Sequence, residues 1–213
     1  MSIERETVEL LVQASRIWNF ESLRNGLRDR EWMALRFLAR ANRFSRSPSA
    51  LAGFIRTTRA TASQIVKVLE KKGCLARIPS SEDKRSVMLR VTPQGQKLLG
   101  NDPINYLVNA VAALDVPCRT SLGDAVRRML DGLATTEYRL DAHVCRECMF
   151  LVESGGSVGK NKAQTDFTCR FFRALISPSE TELLCIGFES QRSRPPTAEQ
   201  RPHDPSGSKS GRY

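Results

Sequence analysis

TRATASQIVKVLEKKGCLAR at residues 58–77, followed by DKRSVMLRVTPQG at 83–95, is the stretch that decides the fold. Thr58 is of the type that caps a helix N-terminus. It stands before a run in which Ile65, Val66 and Leu69 form one apolar stripe, which predicts a helix over residues 60–72. Gly73 is placed to end that helix in the left-handed conformation. Residues 75–79 and 86–92 read as strands, the second because Val87, Leu89 and Val91 alternate with Met88 and Arg90. The turn between them, Ser80-Ser81-Glu82-Asp83-Lys84-Arg85, is short and charged. Thr92-Pro93 then opens another helix, with a cap followed by proline at the first helical position.

Toward the N-terminus, Ser47-Pro48 repeats that device and predicts a short helix over 48–55, burying Leu51 and Phe54 or Ile55. Trp32, Leu35, Leu38 and Ala39 share one face of a helix expected over 30–42, and Asn25-Gly26 is a turn. Residues 3–24 read as a helix carrying Ile3, Val8, Leu11, Val12, Ile17 and Trp18. Toward the C-terminus, residues 93–140 read as helices interrupted at 100–103 and 115–117. Leu107, Val111, Leu114, Leu122, Val126, Leu130 and Leu133 give them apolar faces that need a partner, another chain included. The expected fold is mostly α with a small β-wing, a winged helix-turn-helix plus dimerisation helices. Its divisions are N-terminal dimerisation and support helices (1–46), the winged helix-turn-helix (47–96), C-terminal dimerisation helices (97–140), a Cys-rich segment (141–189) and a tail (190–213). That tail, rich in Pro, Ser, Arg and Gly, is expected to be disordered.

The charge distribution supports a polyanion-binding middle. The chain of 213 residues has 33 Lys and Arg against 23 Asp and Glu, a net charge of +10. Residues 56–97 hold ten basic and three acidic side chains, a balance of +7, whereas residues 98–190 hold nine and twelve, a balance of −3. No stretch is long and apolar enough for a membrane span. The N-terminal MSIERETVELL places acids where a signal peptide needs a basic then an apolar run, so a cytoplasmic protein with no membrane partner is expected.

A helix, tight turn, helix and β-hairpin in that order can place the second helix in the major groove of duplex DNA and the hairpin loop beside it. The exposed face of that helix would offer Arg59, Thr61, Ser63, Gln64, Lys67 and Lys71. Gln64 suits an adenine edge and Arg59 a guanine edge. Thr58, Thr61 and Ser63 suit register-fixing phosphate contacts, while Lys67 and Lys71 would add sequence-blind, salt-dependent affinity. Asp83, Lys84 and Arg85 of the hairpin turn complete the candidate set.

These segments resemble the MarR family. Residues 58–77 look like its recognition helix, with the usual Leu-Glu-Lys-Lys-Gly ending at 69–73. Residues 83–95 are similar to its wing signature, Asp-x-Arg, a strand, then Leu-Thr-x-x-Gly, with Val91 at the Leu position. The resemblance spans roughly residues 5–140. It implies that Arg85 sits at the wing tip and enters the minor groove, held by Asp83; a narrow minor groove concentrates the negative potential that attracts it. It further implies a homodimer with interlocked first and last helices, bound to a pseudo-palindromic operator as repressor or activator. Relatives often bind aromatic acids or other small effectors near the dimer helices, but no residue set here names one. The alternative is a winged-helix protein-interaction module with a structural zinc site.

The family's helices normally end near residue 140; here a segment with Cys145, Cys148, Cys169 and Cys185 comes after them. A Cys-x-x-Cys turn grips two corners of a tetrahedron, and the later cysteines could supply the others, a soft set that suits Zn²⁺ or an iron–sulfur cluster. A helix expected over 177–184, capped by Ser177 before Pro178, separates the later pair, unlike a zinc ribbon. Three readings stay open: metal binding, a Cys145–Cys148 thiol switch, and plain buried hydrophobes. Cys74 and Cys118 fit the last, and His143 reads as an exposed or capping residue. No enzyme is expected. A thiol oxidoreductase would need a βαβ pattern beside the Cys-x-x-Cys, no Gly-rich phosphate loop is present, and two histidines give little material for hydrolysis.

Overall fold

Hydroxyl side chains start four of the helices of the computed structural model, which describes residues 2–16, 25–79, 87–133, 142–153 and 167–189. Helix α1 (Ile3–Ser15) begins at Ser2, and α2 (Asp29–Arg40) begins where Glu31 accepts from the Arg28 amide at 3.2 Å. Ser47, Thr58 and Thr92 each accept from the amide three residues on, opening α3 (Pro48–Ile55), α4 (Arg59–Lys71) and α5 (Pro93–Leu99). Gly73 ends α4 at φ +68°, as its position in the sequence suggested. Strands β1 (Leu75–Pro79) and β2 (Val87–Val91) pair antiparallel, Leu75 opposite Val91 and Pro79 opposite Val87. Helices α6 (Asn105–Ala112) and α7 (Val116–Gly132) come next. Pro117 lies in the first turn of α7, so it begins that helix and the interruption shrinks to the residues just before it.

The core is where α2, α3, α4 and the hairpin meet. Trp32, Leu35 and Leu38 of α2 are fully buried against Leu51, Val66, Leu69 and Leu89, and Phe37 stacks on Phe54 with centroids 4.2 Å apart. The recognition-helix stripe of Ile65, Val66 and Leu69 is therefore its core face. Gly95 holds α5 against the hairpin: a Cβ there would overlap the Cys74 carbonyl oxygen and come within 2.8 Å of Val91 Cγ1. Gly95→Ala should cost about 1–3 kcal/mol. A urea midpoint that falls at unchanged m-value would show it; an unmoved midpoint would mean that α5 shifts freely.

The apolar surface of α1, α6 and α7 is left open. Ile3, Val8 and Val12 on α1, Tyr106 and Val108 on α6, and Val116, Leu122 and Met129 on α7 are all exposed. Neither α1 nor α6 has a buried residue.

The described residues beyond 141 form a small β lobe. Strand β3 (His143–Val144) pairs with β7 (Leu184–Cys185), and β4 (Leu151–Glu153), β5 (Phe167–Cys169) and β6 (Ala174–Ile176) form an antiparallel meander. Several expectations are corrected here. The helix over 177–184 is a 3-10 turn, Pro178–Glu182. Ser177 and Glu180 do form a capping box, but Leu183 is extended and Leu184 pairs with β3, so the helix has no room to continue. His143 is half-buried in β3, its ring tilted on Phe188 at 4.8 Å, and is neither exposed nor a cap. Cys118 is exposed in the first turn of α7, whereas Cys74 is buried as expected. The second half of the helix expected over 3–24, with Ile17 and Trp18, and the tail at 190–213 lie outside the described residues.

Candidate nucleic-acid interface and cysteine site

Helix α4 buries one stripe and presents the opposite one. Arg59, Gln64, Lys67 and Lys71 are exposed, and Thr61 and Ser63 are half-buried at the edge of that face. Thr58 is exposed too, but its hydroxyl accepts from the Thr61 amide at 3.1 Å and lies 3.0 Å from the Thr61 hydroxyl, so both are engaged in the cap. The turn into α4 passes through Arg56, held at φ +53°, a left-handed position unusual for a residue with a side chain. The basic residues next to the face are tied elsewhere. Lys72 Nζ donates to Glu31 at 2.6 Å and to the Gly26 carbonyl at 2.7 Å, and Arg77 pairs with Glu70 at 3.1 Å. Lys72 is thus committed within the fold, whereas Lys67 and Lys71 are exposed. Asp83, Lys84 and Arg85 lie outside the described residues.

The four late cysteines come from three places in the β lobe. Cys145 and Cys148 sit on a tight turn in which the Cys148 amide donates to the Cys145 carbonyl at 3.0 Å. Cys169 lies opposite Leu151 at the end of β5, and Cys185 opposite His143 in β7. All four are free thiols and buried. With Ile176 they are the only buried apolar residues of the lobe among those described. Burial, and then the neighbouring sulfurs of Cys185, Cys148 and Cys169, push the Cys145 thiol up to about 12. A thiol held in that way is a poor free nucleophile, which counts against thiol-exchange chemistry at the Cys-x-x-Cys. Among the described residues, no three His, Cys, Asp or Glu side chains form a group that could hold a metal ion as they stand.

Sequence reasoning missed the residues that join this lobe to the helix-turn-helix. The 3-10 turn Arg43–Ser45 links α2 to α3, and Ala41 bridges to Leu184. The Asn42 amide donates to the Leu184 carbonyl at 2.8 Å, and the Ile186 amide to the Ser45 hydroxyl at 3.0 Å. Arg43 pairs with Glu180 at 2.5 Å and donates to the Leu175 carbonyl at 2.6 Å, while Phe44 stacks on Phe172 at 4.2 Å. Burial raises the proton affinity of Glu180, but hydrogen bonds from Ser177 and the Arg43 guanidinium outweigh it and hold the carboxyl below its ordinary value. The only available sequence signal was a polar Asn and Ser between two apolar helices.

The element order, the capped helix with its outward polar face and the paired hairpin define the class, a winged helix-turn-helix. Residues 25–86 match the model of the MarR family. A putative transcriptional regulatory protein for the hcr operon of Thauera aromatica is 34% identical over 102 residues, 48% of this chain. The chain covers 58% of that relative's length. Similar solved structures include a MarR family transcriptional regulator from Streptomyces coelicolor in complex with DNA, with 26% identity, TM-score 0.46, 65% of this chain and 89% of that one. Another is a MarR/EmrR family transcriptional regulator from Acinetobacter sp. ADP1, with 20% identity, TM-score 0.47, 62% of this chain and 98% of that one.

Proposed function

We propose that this protein is a sequence-specific DNA-binding transcriptional regulator that works as a homodimer on a pseudo-palindromic operator. The outward face of α4, with Arg59, Gln64, Lys67 and Lys71 exposed beside the hairpin, is the observation that carries the reading. Gln64 reads a base edge, Arg59 a base edge or a phosphate, and the two lysines hold the backbone. Thr61 and Ser63 flank that face, Thr58 orients it through the cap, and Arg85 with Asp83 and Lys84 extends contact from the wing. The exposed apolar sides of α1, α6 and α7, which no other part of the described chain covers, supply the dimer interface. Both the matched family and the Thauera relative, by its name, are concerned with transcription regulation rather than catalysis.

Gln64→Ala should cost about 1–3 kcal/mol on the selected operator and little on random duplex, so discrimination falls while non-specific binding stays. Fluorescence anisotropy on both duplexes measures this. Unchanged operator preference would place the reading face elsewhere. Binding to duplex DNA that ignores both Arg85→Ala and Lys67→Ala would favour a protein-interaction module.

The β lobe is the second half of the proposal: Cys145, Cys148, Cys169 and Cys185 hold a soft metal centre, zinc or an iron–sulfur cluster, that makes DNA binding responsive to metal or redox state. Supporting it is the thinness of the lobe, whose strands are two or three residues long and whose buried apolar side chains are the cysteines and Ile176. A unit with so little core needs a staple. Metal and labile-sulfide content on protein purified without oxygen tests this, one centre per chain being expected and its loss in Cys148→Ser. No metal in the wild-type protein would leave a thiol switch or packing alone.

A further inference from the structure

Two exposed arginines hold backbone positions that favour glycine or asparagine. Arg56, at φ +53°, ends α3 and turns the chain toward α4, and Arg173, at φ +52°, closes the four-residue turn between β5 and β6. A long side chain at a left-handed position costs backbone energy, which points to a use for that side chain. The two turns are neighbours in space although far apart in sequence. Gly53, whose carbonyl accepts from the Arg56 amide at 3.1 Å, faces Ile186, with Cδ1 3.7 Å from where a Cβ would stand. Gly187, next in the chain, faces the rings of Phe171 and Phe172, each 3.5 Å from where its own Cβ would stand. The tip of the β5–β6 hairpin therefore lies on the flank of α3, the helix that crosses the DNA backbone in a helix-turn-helix complex.

We infer that Arg170 and Arg173 are a second duplex-DNA contact, gripping backbone phosphates beside the groove that α4 enters. The inference rests on the reading of α4 as the DNA-reading helix. Arg170 and Arg173 are exposed on either side of Phe171, itself 57% exposed. Glu180 and Glu182 of the same lobe are engaged by Arg43 and Arg146, and among the described residues neither Arg170 nor Arg173 has an ion pair. The acidic balance of residues 98–190 conceals this basic tip, because net charge does not tell where the charges stand. The tip is also stiff. Phe171 packs on Phe150 at 5.4 Å and edge-on against Phe172 at 4.8 Å, and Phe172 stacks on Phe44 just ahead of α3. A contact fixed in this way loses little freedom on binding. It adds affinity and salt dependence without reading sequence.

The probes are the selected operator and random-sequence duplex, bound by the full-length protein and followed by fluorescence anisotropy over a salt series. Arg170→Gln with Arg173→Gly removes two cations per protomer and four per dimer. The slope of log affinity against log salt should become shallower by about 3–4 on both duplexes. Between about 50 and 200 mM salt the wild-type protein then loses about 10²-fold more affinity than the variant. Glycine suits the backbone at residue 173 better than arginine does, so the urea midpoint should stay at or above the wild-type value. Arg170→Gln alone leaves that turn as it is and should give about half the slope change, which keeps the test open if the double variant does not fold. Unchanged slopes in both variants would overturn the inference, and a lower midpoint beside them would mean that Arg173 serves only the fold of the lobe. Altered sedimentation of the dimer in place of a slope change would overturn it too, and would make the tip a contact between copies. If Gln64→Ala loses operator preference while the tip variants keep the full slope, only the tip is refuted. A wild-type protein that binds neither duplex refutes the reading of α4 and this inference with it.

Discussion

Asp102→Ala is expected to lower stability by about 3–5 kcal/mol, among the largest effects available to a single substitution in this chain. Asp102 is 3% exposed and its side chain takes both Arg36 Nε and Nη2 at 2.6 Å, a two-pronged charge-assisted pair with Arg36 17% exposed. The same carboxylate accepts from the Ile104 amide at 2.9 Å, just before α6 begins. Arg36 also lies over the Trp32 ring at 5.7 Å, inside the principal core. Removing the carboxylate leaves a guanidinium in that setting without its partner and frees the start of α6, and the unpaired charge dominates the cost. For a chain of this size the loss corresponds to a melting temperature lower by roughly 6–20 °C. Replacing both partners at once, Arg36→Met with Asp102→Leu, should restore most of it, because no buried charge is then left alone. A loss under about 1 kcal/mol in Asp102→Ala would mean that water reaches Arg36 and that the pair is a surface contact in effect.

That pair also shows where sequence reading stops. Arg36 and Asp102 are 66 positions apart, and neither has a local pattern that points to the other. The winged helix was legible because its signals are local. Ser47, Thr58 and Thr92 each cap a helix within three residues, Gly73 needs only its own backbone angle, and Val87, Leu89 and Val91 report their strand by alternation. The β lobe was not legible because two- and three-residue strands are too short to show a period, so Phe167–Cys169 and Ala174–Ile176 look like loop. The cap at Ser177 is local and therefore legible, yet the path of the chain after Glu182 is decided by β7 pairing with β3. The contacts of Arg43 and Ser45 span 132 to 141 positions, which no window of sequence holds. The recognition face lay between these cases. Periodicity gave the exposed stripe, but only the ties from Lys72 to Glu31 and Gly26 separate it from Lys71.

That separation gives the largest expected effect on function, if the protein binds duplex DNA as proposed. Arg59, Lys67 and Lys71 are the exposed cations of α4, three per protomer and six per dimer. Each phosphate neutralised releases condensed counterions, so six contacts give a slope of log affinity against log salt of about −5. Raising salt from about 50 to 200 mM should then weaken binding about 10³-fold, more if the wing arginines add to the count. Lys71→Ala removes two of the six in a dimer, so the slope should become shallower by about 2 on operator and random duplex alike. Lys72→Ala makes the sharper comparison. Its ammonium is committed to Glu31 and the Gly26 carbonyl, so the slope should stay near the wild-type value while stability falls. The two lysines are adjacent in sequence and equal in formal charge, so a model of DNA binding based on net charge predicts the same slope change for both. Measuring the two variants side by side over a salt series separates that model from one in which the geometry of α4 decides which cations face the phosphates. Equal changes would mean that Lys72 leaves Glu31 on binding DNA, and that the contact face of α4 is wider than its free arrangement.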